Sequence, residues 1–72
     1  MLSQDVSDLY RELKGQIIEV KTKAGTLMVG EWLSIQWNDV TAECRVVLSS
    51  KDMMRHIPAH SIQSISNIKN KN

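Results

Sequence analysis

The chain is poor in the residues that small domains use as staples. It has a single cysteine, Cys44, in 72 residues, so no disulfide can close within one chain. One cysteine with two histidines, His56 and His60, is also a meagre set for a structural zinc site. Phenylalanine is absent, and two tryptophans and one tyrosine carry all the aromatic surface. A domain of this length buries only about 60% of the surface that its unfolded chain exposes. Without staples it must draw its margin from a well-packed barrel or from partner subunits.

Other absences narrow the function. No apolar run approaches the roughly 20 residues needed to span a bilayer, and Met1 to Ser7 carries no signal-peptide pattern. With no pair of cysteines either, the expected setting is reducing and cytoplasmic, with no membrane partner. Charge of one sign is missing too. Nine Lys and Arg against eight Asp and Glu give a net charge of +1, without the strongly basic face that marks most nucleic-acid binders. No carboxylate pair, nucleophile–base motif or phosphate loop is visible, so the chain does not read as an enzyme and no cofactor is expected.

What is present is periodicity. Leu2, Val6, Leu9, Tyr10 and Leu13 lie on one face of a helix, with Ser3 as the expected N-cap and Gly15 as the stop. Gln16 to Thr22 alternates as a strand, and Lys23-Ala24-Gly25 supplies a turn. Thr26 to Trp37 reads as one long strand that bends at Gly30, with Met28, Gly30 and Trp32 on one face and Leu27, Val29 and Leu33 on the other. A strand apolar on both faces should be covered on both, by the helix or by another subunit.

Asn38-Asp39 marks the next turn. Val40 to Leu48 resumes as a strand with Val40, Ala42, Cys44 and Val46 on one side, which makes Cys44 a core residue. Ser49 to Asp52 forms a hairpin loop, Met53 to Pro58 a fourth strand, and Ala59-His60-Ser61 a tight turn into a fifth strand from Ile62. The pattern predicts one domain over residues 1–68 with a disordered tail at 69–72. Its class is mainly β: a small, SH3-like, five-stranded antiparallel barrel behind an N-terminal α-helix.

These residues resemble the Sm/LSm superfamily, including its bacterial Hfq branch. The likeness lies in Ala24-Gly25 at the turn, Gly30, Trp32 and Ile35 in the first half, and in Ile57, Ile62 and Ile65 at the matching spacing in the second. Short bacterial Sm-like proteins of unknown function are similar as well, sharing an Ile-Pro followed by spaced isoleucines. The resemblance implies a homo-oligomeric ring in which strand four of one subunit pairs with strand five of the next. It also implies that single-stranded RNA is held at the pore, with Gln36 and Asn38 in the first loop and His60 in the second as the RNA-binding residues; Trp37, between the first two, adds an aromatic face for stacking a base. The sequence departs from the family at Gln36, where an acid is usual, and at Pro58-Ala59, where cationic or aromatic residues are usual. The alternative is a structural or protein-interaction module that uses the same barrel, docks a protein partner through Leu27, Val29, Leu33 and the two tryptophans, and binds no nucleic acid.

Overall fold

The computed structural model describes residues 1–68, and the 69–72 tail expected to be disordered lies outside the described residues. Helix α1 (Ser3–Leu13) leads into β1 (Ile17–Thr22), β2 (Leu27–Asn38), β3 (Glu43–Ser50) and β4 (Met53–Pro58). A single 3-10 turn (Ala59–Ser61) then precedes β5 (Ile62–Asn67). The fold is mainly β, as the periodicity predicts. Its five strands form one antiparallel sheet in the order β4-β3-β2-β1-β5.

The helix forms because its apolar stripe has somewhere to go. Val6 is fully buried, and Leu9, Tyr10 and Leu13 pack against the same core as Ile18, Val20, Trp32, Cys44, Val46 and Leu48. It ends where Lys14 donates its N–H to Tyr10 O at 2.9 Å and Gly15 turns to φ 76°. The start differs from expectation. Leu2, not Ser3, occupies the N-cap position, and no side chain caps it. Ser3 Oγ instead accepts the N–H of Cys44 at 3.0 Å, which ties the helix to the beginning of β3. A cross-chain backbone donor has displaced the local cap.

Strand β2 takes two partners in succession. Leu27 to Glu31 pair with β1, and Glu31 to Asn38 pair with β3, so the two ladders share Glu31 alone. A strand handed from one neighbour to another must bend, and Gly30 makes the bend sterically feasible. A Cβ placed on Gly30 would lie 2.5 Å from the carbonyl oxygen of Ser49. Two residues on, the register slips between Trp32 and Ser34, leaving Leu33 as a bulge. The slip lets both Trp32 and Ile35 turn inward.

Three expectations are corrected. First, the helix does not cover the outer apolar face of β2. The helix lies on the Trp32 side, where Tyr10 meets Trp32 with ring centroids 5.2 Å apart, so Leu27, Val29 and Leu33 stay exposed. Second, Val40 belongs to no strand and is 93% exposed. Asn38 Oδ1 accepts the N–H groups of Val40 and Thr41, and Ala42 takes φ 56°, so residues 39 to 42 form a loop and β3 starts at Glu43. Third, the sheet is not closed into a barrel. Pro58 and the 3-10 turn do not return β5 along β4; they send it across to the free side of β1. Strands β4 and β5 are therefore the two outer edges of the sheet. The β3–β4 hairpin is tighter than expected, with only Lys51 and Asp52 between the strands, both at positive φ.

Candidate functional site

The four residues singled out from the sequence gather at one end of the molecule, for a reason visible in the register. Gln36, Trp37 and Asn38 close β2, and opposite them stand Arg45, Cys44 and Glu43 of β3. His60 reaches the same end from the 3-10 turn, where its Nδ1 lies 2.5 Å from Glu43 Oε2. Glu43, the register partner of Asn38, thus links the first loop to the second.

Each side chain is held differently. Gln36 Oε1 accepts the Nδ1–H of His56 at 3.2 Å, a bond that crosses over β3. Asn38 spends its carbonyl oxygen on the loop amides of Val40 and Thr41 at 2.9 and 3.3 Å. Its NH2 group is left pointing at no partner among the described residues. Trp37 is 48% exposed, whereas Trp32 is fully buried and donates its Nε1–H to Ser34 O at 3.0 Å. One indole belongs to the core and the other to the surface.

Gln36, Trp37, Asn38, Asp39, Val40 and Arg45 line one open depression of about 430 Å³. His60 is not part of its lining. Asp39 and Arg45 are absent from the sequence-based set, yet they bring the depression its two full charges. Arg45 could have been found from register alone: once Asn38 faces Glu43 across a four-residue loop, Arg45 must face Gln36. Within the described residues Asp39 and Arg45 do not pair with each other or with any other charge.

Among the described residues no group of three or more His, Cys, Asp or Glu side chains is placed to hold a metal ion, and no helix is long and apolar enough to cross a membrane. Cys44 lies opposite Trp37 in the register, fully buried. Burial pushes its thiol above the ordinary value, the hydrogen bond with Ser3 pulls the other way, and the charge of Glu43 raises it further. Such a thiol is a poor nucleophile at neutral pH. Cys44 serves as a core residue, as its place in the strand pattern predicts.

A second surface lies at the opposite end of β2. There Leu27, Met28 and Val29 border a groove of about 260 Å³ beside Lys51 and Arg55. No protein-family model, curated protein or solved structure matches this chain.

Proposed function

We propose that this chain is an Sm-like RNA-binding protein that assembles as a homo-oligomeric ring and holds single-stranded RNA through Gln36, Trp37, Asn38 and His60. The observation that carries the reading is the depression itself. Arg45, Gln36 and Asn38 line one open depression, and the next position of β2, Trp37, leaves its indole half-exposed at the same end of the strand; guanidinium, amides and indole are the equipment that hydrogen-bonds and stacks unpaired bases. His60 lies beside it through Glu43 and would meet RNA where the two loops converge.

The strand order supports the ring. Edges β4 and β5 each have one neighbour in the chain, and an unpaired edge is a template for another strand. Pairing β4 of one subunit with β5 of the next satisfies both and completes an Sm-like barrel wall from two chains. It also supplies the stability that a core of this size lacks. A pore would place one copy of the site from every subunit around a shared axis, so modest contacts add along one RNA strand.

Two measurements test this. A labelled, mixed-sequence RNA oligomer titrated at low and moderate salt should bind at low salt and weaken as salt rises; an absence of binding at low salt ends the RNA reading. Light scattering should report a multiple of the 8.2 kDa chain. A monodisperse wild-type monomer would refute the ring.

The alternative, a structural or protein-interaction module, is favoured by a different observation. Leu27 is 57% exposed, with Val29 and Leu33 also exposed on the outer face of β2. An apolar row of this kind fits a protein partner. Crosslinked protein in place of bound RNA would favour it.

A further inference from the structure

We infer that the depression at the end of β2 is a guanine-base site, so that the RNA held there is single-stranded and read at a guanine. The inference rests on the RNA-binding reading above and deepens it. It starts from the two charges that the site leaves unused. Asp39 and Arg45 line the same depression with opposite sign, yet among the described residues they form no ion pair. Opposite charges bordering one concavity without closing on each other remain available to a ligand that presents complementary groups to both.

The remaining polar groups are nearly all donors. Gln36 has committed its carbonyl oxygen to His56, and Asn38 has committed its own to the loop amides. What both offer a ligand is their NH2 group. Arg45 adds a planar fork of N–H donors. Asp39 is the one strong acceptor in the lining, and Trp37 supplies an exposed aromatic face.

Among the four bases, guanine matches this set. It alone carries two adjacent acceptors, O6 and N7, which a guanidinium takes together, and two adjacent donors, N1–H and N2–H2, which a carboxylate takes together. Uracil offers a carboxylate one N–H. Adenine and cytosine turn an amino group toward the position where the guanidinium needs an acceptor. The base would sit with Arg45 on its Hoogsteen edge and Asp39 on its Watson–Crick edge, the amides of Gln36 and Asn38 reaching the sugar and phosphate, while Trp37, which the register puts on the Cys44 face of the sheet, would stack on a neighbouring base. A volume of about 430 Å³ is in the range of small-ligand sites, roughly 300–1,000 Å³. The single carboxylate then has a role that a phosphate-tracking surface would not give it: it rejects bases that lack the paired donors.

The experiment follows the fluorescence of Trp37, the exposed indole, while short RNA oligomers differing at one central base are titrated. The guanine oligomer should bind about tenfold tighter or more than its adenine, cytosine and uracil counterparts. Inosine, which lacks N2–H2, should lose the part due to Asp39, and 7-deazaguanine, which lacks N7, the part due to Arg45. Asp39→Asn should level guanine with inosine, and Arg45→Ala should level guanine with 7-deazaguanine. The base analogues probe the unaltered protein, so the test survives a variant that folds poorly. Equal binding of all four bases overturns the guanine inference and leaves RNA binding standing. Analogues that bind as well as guanine overturn the assignment of Asp39 and Arg45. Failure of every oligomer to bind removes both readings. A titration with free GMP separates the sources of the base: GMP binding as tightly as the guanine oligomer would keep the guanine site and remove the RNA reading.

Discussion

The two halves of β2 share one strand and little else. Between Leu27 and Trp32 the residues alternate in and out, pair first with β1, and press so closely on β3 that position 30 admits no side chain. Between Ser34 and Asn38 the strand is mostly polar, pairs with β3 alone, and ends in the open depression with Asp39, Val40 and Arg45. The Leu33 bulge separates them. Each half also carries a tryptophan, Trp32 fully buried and Trp37 half-exposed. The difference teaches that residue type does not assign a role: the same indole is core on one side of a register slip and a candidate recognition surface on the other.

Substitutions along the strand can break or sharpen this contrast. The largest effect is expected at Trp32→Ala, which empties the centre of the core and should cost about 3–5 kcal/mol in chemical denaturation. A loss below about 1 kcal/mol would mean that Trp32 is not the keystone its burial implies. Next comes Gly30→Ala. Its Cβ would meet the Ser49 carbonyl at 2.5 Å, and both atoms belong to the packed sheet, so a loss of about 1–3 kcal/mol is expected. A neutral Gly30→Ala would show that β2 and β3 can part at no cost.

In the second half the penalties fall. Asn38→Ala removes the acceptor for two loop amides and should destabilise by about 1 kcal/mol. Faster hydrogen exchange confined to residues 39–42 is the accompanying signature, and unchanged exchange would contradict the capping role. Trp37→Ala should cost roughly 0.5–1 kcal/mol in stability. On the proposed RNA-binding reading it should weaken RNA binding more, since a stacked base contributes about 1–3 kcal/mol. If Trp37→Ala destabilised the fold as much as Trp32→Ala, the division of β2 into a packing half and a binding half would collapse.

The smallest effect concerns Cys44, the register partner of Trp37, and it is confined to alkaline pH. Burial, aided by Glu43, raises its thiol above the ordinary value. The folded state therefore holds the proton more tightly than the unfolded chain does. This contribution is intact below the unfolded thiol pKa of about 8.5 and is lost as pH climbs through the raised folded value. Wild-type melting temperature should then fall more steeply than that of Cys44→Ala as pH rises above about 8.5. Parallel curves would show that the thiol titrates alike in both states.

Much of this architecture is legible in the residues themselves, because helix and strand periods are local. The stripe from Leu2 to Leu13, the stop at Gly15, the alternation of Ile18, Val20 and Thr22, and the need for a glycine at position 30 all follow from spacing and sterics. The burial of Cys44 follows from the same reasoning, whereas the candidate site residues Gln36, Asn38 and His60 rest on the family resemblance. What tertiary structure alone decided is where non-local donors and edges go. Ser3 caps no helix because the Cys44 amide takes its hydroxyl. Val40 leaves the strand because Asn38 holds the loop. Arg45 joins the site only through the β2–β3 register. The sheet stays open because β5 pairs with β1 and, among the described residues, forms no ladder with β4 at the other end. Period and propensity act over a few residues and are written in the sequence. Register slips, edge partners and the meeting of Asp39 with Arg45 depend on contacts between segments far apart in the chain, and those exist only once the sheet has folded.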